Sequence, residues 1–294
     1  MTTTTTAALV EQALPLPERD LALLEALYEH RFLTGRQIRT LLFHQHPDPR
    51  TRTPVPTRTG RVAHRRLALL RQHDLLHRRV LRKPDGSREP EPYYCLSRTG
   101  AQLVAWRRGV PASEVRARAA DALAGPLFVR HSLACAELAC ALVSAARAND
   151  GHACEPGWWQ GERSSRASFR FRGRKLTVCP DGYTRYQVGR QQHHLLVEVD
   201  RATGTLARLA AKIDRYQDYA RSGAWQERYP VFPKLLLTTT SERRLETLLA
   251  RVEPPSEFVL LCANSAELAK HGPLAPIWKQ PGAPAPRPLL EAQP

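Results

Sequence analysis

The sequence predicts a mixed α and β chain in two parts, an N-terminal helical module ending in a β-hairpin and a C-terminal mixed α/β domain. Three observations carry that reading. Apolar residues recur at helical spacing over 17–30, 34–42 and 59–73, and a hairpin pattern follows them. From residue 129 onward a long helix gives way to short strand-like runs alternating with helices, in the order αβββαβαβ, which indicates one mixed sheet with helices on its faces. Between the two lies a stretch with Pro111, Gly125 and Pro126. The boundaries read as a disordered lead-in over 1–16, a first domain over 17–110, a connector over 111–128, a second domain over 129–279 and a disordered tail over 280–294.

In the first domain, Pro17 and the acidic residues after it open a helix that places Leu21, Leu24, Leu27 and Tyr28 on one face. Thr34 supplies an N-cap hydroxyl for a short second helix carrying Ile38, Leu41 and Leu42. The four prolines between His44 and Thr57 require a loop. A third helix over 59–73 turns Val62, Leu67, Leu69 and Leu70 inward. The run LLHRRVLRK, a turn at Pro84–Gly86 and the run PYYCLS then form a hairpin. Three helices followed by a hairpin is the order of a winged helix-turn-helix domain. Thr99 to Arg108 reads as one more helix.

In the second domain, the helix over 131–148 is apolar nearly all round and is expected to be buried. Strand candidates are SFRFR, KLTVC, TRYQV and HLLVEVD, then a helix near 205–221, the strand KLLLTTT, the helix SERRLETLLARV and the strand FVLLCA. Leu195–Val199 and Leu235–Leu237 are continuous apolar runs, as strands covered on both faces require.

Charge narrows the function. The formal net charge is +16, and between Arg31 and Val110 there are 18 Lys/Arg against five Asp/Glu, a local excess of +13. A field of that sign and concentration suits a polyphosphate, because each neutralised phosphate releases condensed counterions. Simple solubility of an Arg-rich chain is the bland alternative. On the third helix Arg58, Arg61, His64 and Arg65 are expected to face double-stranded DNA in the major groove, with Arg78, Arg79, Arg82 and Lys83 of the hairpin touching phosphates. No run of 18 apolar residues and no signal-like N-terminus is present, and six cysteines occur without a Cys-x-x-Cys pair. These point to a cytoplasmic protein, nucleoid- or plasmid-associated, with no membrane partner, no zinc site and no disulfide scaffold. No P-loop and no Gly-x-Ser-x-Gly motif occurs. His44-Gln45-His46 and the adjacent His193-His194 do not form a His-apolar-His metal motif.

Four acidic positions break the apolar pattern. Glu137 is the only charged residue from Ser132 to Ala146, so it needs a cation or a salt bridge, with Arg130 and Arg201 as possible partners. Asp181 follows a strand within Cys179-Pro180-Asp181-Gly182, which is also an ordinary turn sequence. Glu198 and Asp200 alternate along LLVEVD and share a face of a strand expected to be central. Two carboxylates there require a metal or a cationic side chain between them, and hard divalent cations prefer oxygen donors. Lys212 falls at the edge of the apolar stripe Leu206, Leu209, Ile213, Tyr216, Ala220. It is placed either to reach the sheet or to lie on the surface.

Together these residues resemble the PD-(D/E)xK nuclease core, with Pro180-Asp181, then Glu198-Val199-Asp200 where Asp stands at the usual Lys position, and Lys212 on the following helix taking the lysine's place. With Arg130-His131-x-Leu133, Glu137, Glu198-Val199-Asp200-Arg201-x-Thr203 and Lys212-x-x-x-Tyr216, the stretch of roughly 17–250 resembles the replication-relaxation family of plasmids and integrative conjugative elements, related to MOB-C type mobilisation relaxases. The resemblance implies a restriction-endonuclease-like second domain. It also implies action on plasmid DNA in replication, relaxation or mobilisation. Other relaxosome or replication proteins are expected partners, and a homodimer is an expected state. Asp181, Glu198 and Asp200 would hold Mg²⁺ (or Mn²⁺), Glu137 would assist, and Lys212 would neutralise the phosphate in an endonuclease or nickase. The alternatives are a non-catalytic accessory factor or transcriptional regulator with a vestigial nuclease fold, and a defence nuclease using the same site.

Overall fold

A computed structural model describes residues 16–43, 56–81, 87, 91–111, 113, 115 and 120–290, with no side-chain description for 56–59, 120 and 122. The chain is mixed α and β and divides into two compact units, Met1–Cys140 and Ala141–Pro294.

The first unit begins with helix α1, Glu18–His30, whose acidic first turn opposes the positive end of the helix dipole. It buries Leu23, Leu24, Leu27 and Tyr28; Leu21, expected inside, is only half-buried. The helix stops at Arg31, whose φ of 68° is costly for a residue with a Cβ, on the order of 1–3 kcal/mol. Offsetting contacts hold it: Arg31 Nη2 donates to Asp121 Oδ1 at 2.7 Å and its guanidinium lies 4.3 Å from the centre of the Phe128 ring. Strand β1, Leu33–Thr34, follows. Thr34 then caps helix α2, Gly35–Leu42, in a reciprocal capping box: Gln37 N donates to Thr34 Oγ1 at 3.2 Å and Thr34 N to Gln37 Oε1 at 3.0 Å.

Helix α3, Pro56–Gln72, buries Ala63, Leu67 and Leu70, and leaves Val62 and Leu69 half-buried. Strands β2, Leu76–Arg79, and β3, Tyr93–Leu96, pair antiparallel, and β1 joins the other edge of β3, giving the order β1-β3-β2. Helix α4, Arg98–Arg108, is capped by Ser97 and ends on Gly109. Residues 1–15, 44–55 of the expected proline loop and the Pro84–Gly86 turn lie outside the described residues; Pro56, the last of the four loop prolines, opens α3 instead.

Two boundaries differ from the sequence reading. The connector expected over 111–128 contains a 3₁₀ turn, Ala120–Leu123, whose Asp121 is buried against Arg31. Helix α5, Pro126–Arg147, does not open the second unit; its first part belongs to the first. Val129 packs in a cluster with Phe32, Leu81, Tyr93 and Cys95, and Gln37 Nε2 donates to Leu133 O at 2.9 Å. By length and composition this 22-residue helix is the one candidate membrane span among the described residues. Half of its apolar window is buried within the protein, as in a core helix, so the indication is weak.

The second unit is built on a mixed sheet of order β11-β10-β9-β8-β4, with β5 also paired to β8. Its strands are β4, His152–Ala153; β5, Gln160–Gly161; β8, Gly182–Val188; β9, Gln191–Asp200; β10, Lys234–Thr239; and β11, Leu260–Asn264. Strands β9, β10 and β11 run parallel, while β8 is antiparallel to β9. The apolar runs Leu195–Val197 and Leu235–Leu237 are buried, as central strands require.

Strands β6, Ala167–Phe171, and β7, Arg174–Val178, do not join this sheet as expected; they form a separate hairpin. The reason is local. Phe169 and Val178 point into a cluster with Ile213, Tyr216 and Tyr219 of helix α7, Leu206–Ser222, so the hairpin covers the helix rather than extending the sheet. The short helix α6, Glu162–Ser165, precedes β6, and helices α8, Glu242–Leu249, and α9, Ser265–His271, follow β10 and β11. Residues 280–290, expected to be a disordered tail, are ordered. Arg287 pairs with Trp278 in an antiparallel bridge and Leu289 is buried.

Candidate acid–lysine site and basic face

Asp181 is positioned by the strand beside it. Its backbone N–H donates to Val197 O at 2.9 Å, and its Oδ2 accepts from Val199 N at 2.8 Å, so β9 holds both backbone and carboxylate. The next residue must be glycine, because a Cβ on Gly182 would lie 2.2 Å from the Trp159 ring. Glu198 stands on β9 and is 3% exposed.

Helix α7, started by the Thr205 cap, delivers Lys212 and Tyr216 from one face, four residues apart. Lys212 Nζ donates to Glu198 Oε2 and lies 3.7 Å from Asp181 Oδ1; the Tyr216 hydroxyl donates to Glu198 Oε1. Side-chain exposure grades from 35% at Lys212 through 13% at Asp181 to 4% at Glu198, so the group opens to solvent at its lysine end.

Its electrostatics follow from one cation facing two carboxylates. Burial and the neighbouring Asp181 charge push the Glu198 carboxyl up to about 8, against the opposing pull of Lys212 and Tyr216. Burial alone would lower Lys212, but Glu198 and Asp181 override it and hold the ammonium above its ordinary value. Burial, and then the Glu198 charge, raises the Tyr216 phenol well above its usual range.

Asp200 is not brought to this group. Ending β9, its Oδ2 accepts from Thr239 Oγ1 at 3.1 Å, and its Oδ1 accepts from Arg244 Nη2 at 3.0 Å and from Ala202 N at 3.2 Å. Arg244 Nη2 also donates to Gly204 O at 2.7 Å. Asp200 therefore staples the turn between β9 and α7. The alternation along LLVEVD gave the face but not the change of partners at the strand end. Arg201, an expected counter-charge, does not supply one to these carboxylates; its Nη1 is buried with no hydrogen-bond partner among the described residues.

Glu137 is likewise not a buried carboxylate; its side chain is 48% exposed and lies in the first unit. Its partner is Arg36 rather than Arg130 or Arg201, with Nη1 to Oε1 at 3.0 Å and Nη2 to Oε2 at 2.7 Å, and Gln37 Nε2 adds a bond at 3.1 Å. Burial would raise this carboxyl, but the Arg36 and Gln37 bonds hold it below its usual value.

Arg31, Arg36, Arg66 and Arg108 are paired with Asp121, Glu137, Asp20 and the Glu25–Glu29 pair. Arg61, His64 and Arg65 of α3 and Arg78 and Arg79 of β2 are exposed, with no carboxylate in ion-pair distance among the described residues. The Arg58 side chain, Arg82 and Lys83 lie outside the described residues. The pairing of Arg66 to Asp20 and of Arg244 to Asp200 links residues far apart in the chain and left no local signal in the sequence.

The family model described as Replication-relaxation matches residues 24–235, more than half of the chain. No curated protein and no solved structure gives a significant match.

Proposed function

The chain belongs to the replication-relaxation family, which supports a role in the replication or relaxation of mobile elements, and from that premise we propose that it is a DNA-binding protein that nicks the DNA it binds. The first unit acts as a winged helix-turn-helix: α3 enters the major groove with Arg61, His64 and Arg65, and Arg78 and Arg79 contact phosphates. The second acts as a PD-(D/E)xK-like domain. The observation that carries the cleavage reading is the meeting of Asp181 and Glu198 at Lys212.

The donor set fits a divalent metal. Two carboxylates face a single ammonium, and burial, together with the Asp181 charge beside it, raises the Glu198 carboxyl. Asp181 and Glu198 would hold Mg²⁺ or Mn²⁺, which when bound supplies a Lewis acid for the scissile phosphate and a more acidic water. Lys212, the most exposed member, is placed to neutralise charge on the phosphate. Tyr216 holds Glu198 in place and, being buried, does not itself reach DNA.

A second reading is favoured by a specific observation: Lys212 pairs with Asp181 and Glu198, and Arg244 with Asp200, so the acidic residues are internally countered, as suits a non-catalytic accessory factor. Supercoiled plasmid incubated with Mg²⁺ or Mn²⁺ separates the two. Nicking that is lost in Asp181→Asn while DNA binding persists supports the first reading. Wild-type binding without nicking in either metal supports the second.

A further inference from the structure

The β6–β7 hairpin carries a charge arrangement that the proposed function does not use. No Asp or Glu occurs between Arg163 and Val178, while Arg166, Arg170, Arg172, Arg174 and Lys175 are all exposed. None of these five has a carboxylate in ion-pair distance among the described residues. Arg170 and Lys175 stand directly opposite one another across the two strands. Like charges at that position oppose strand pairing, and a single acidic residue would relieve the conflict. The hairpin is nonetheless well defined. Arg172 and Gly173 make a tight turn with φ of 47° and 74°, and Phe169 and Val178 anchor the opposite face on helix α7.

Its position gives the charge a use. Helix α7 also carries Lys212 and Tyr216, and β7 runs through Cys179 and Pro180 directly into Asp181. We propose that the β6–β7 hairpin is a second DNA-contacting arm, whose Arg170 and Lys175, with Arg172 at the turn, grip the phosphate backbone of the DNA presented to Asp181, Glu198 and Lys212. This rests on the DNA-binding reading above. The repulsion between Arg170 and Lys175 is then relieved by phosphate, as counterion release favours.

The test uses the full chain and a labelled duplex, with affinity followed by anisotropy across salt concentrations. Arg170→Ala/Lys175→Ala should make the slope of log affinity against log salt shallower by about 1.8, at about 0.9 for each phosphate that is no longer neutralised. Lys175→Glu gives Arg170 an opposite charge across the hairpin. It should leave the melting temperature unchanged or raised while DNA affinity falls by about tenfold, an outcome that a purely structural hairpin does not give. If wild type binds DNA and both variants keep its slope and affinity, the arm is refuted while the DNA reading stands. A wild type that binds no duplex refutes the DNA reading and the arm with it. Loss of binding to phosphatidylserine vesicles in both variants, with DNA binding unchanged, refutes the arm in favour of a membrane surface.

Discussion

Replacing Glu198 with Gln should remove most of the pH dependence of stability in the second unit between pH 4.5 and 8. In the folded chain the carboxyl is raised from 4.5 to about 8 by burial and by Asp181. Below 4.5 both folded and unfolded chains hold the proton, and above about 8 neither does. Between those limits the unfolded chain has lost its proton and the folded chain has kept it, so stability falls as pH rises. At about 1.4 kcal/mol per pH unit, the full shift corresponds to roughly 4–5 kcal/mol. Lys212 stays an ammonium throughout that window, since an ordinary lysine titrates at about 10.4 and the Asp181 carboxylate lies 3.7 Å away. Glutamine keeps the shape of the side chain, retains an oxygen for the Tyr216 hydroxyl and does not titrate. Urea unfolding in the presence of a chelator, at several pH values, measures the effect through tryptophan fluorescence, since Trp158, Trp159, Trp225 and Trp278 all lie in this unit. Wild-type stability should decline relative to Glu198→Gln by roughly 4–5 kcal/mol from pH 4.5 to pH 8. Parallel profiles, or a wild type that gains on the variant as pH rises, would show that Glu198 is ionised in the fold and refute the electrostatic account.

Arg61→Ala/Arg65→Ala should leave unfolding unchanged and weaken duplex binding by roughly 1–3 kcal/mol per base-reading contact, measured by anisotropy. Arg66→Ala, one residue further along the same helix, should do the reverse. It strands the carboxylate of Asp20, which is 1% exposed, and should lower stability by about 3–5 kcal/mol in urea unfolding. A chain ending at Val110 should unfold at lower urea than one ending at Cys140, because it lacks Asp121, Phe128 and Val129, which brace Arg31 and Phe32. Equal midpoints would show that those contacts contribute nothing.

The parts of this fold that were legible in the sequence are those set by local rules. The Thr34 cap, the inward Leu67 and Leu70, and the apolar runs of β9 and β10 follow from periodicity and capping chemistry, and the structure contains them. Strand parity and the helix stripe leave Lys212 either reaching the sheet or on the surface; the family resemblance pairs it with the acidic residues, and in the structure it donates to Glu198. What local rules do not reach is pairing across long separations. The Arg36–Glu137 bond joins residues about a hundred positions apart, and it is why an apparently buried carboxylate is half-exposed and paired elsewhere. The same holds for Asp200, whose oxygens are occupied by Thr239 and Arg244. Strands β6 and β7 have ordinary strand patterning, and only the apolar face of α7 determines that they leave the sheet. Periodicity begins this helix at 131 and gives it whole to the second domain, whereas it starts at Pro126 and its residues divide between two units.

The central claim is that Asp181 and Glu198 are kept for a divalent cation, and proton release on Mn²⁺ binding tests it most directly. Calorimetric titration of the wild type with Mn²⁺ at pH 7, in two buffers of different ionisation heat, counts the protons expelled. A carboxyl raised to about 8 is mostly protonated at that pH, so binding should release about 0.9 of a proton per metal, and Asp181→Asn should abolish the binding. Absence of Mn²⁺ binding by the wild type, or binding that survives in Asp181→Asn without proton release, would contradict the account.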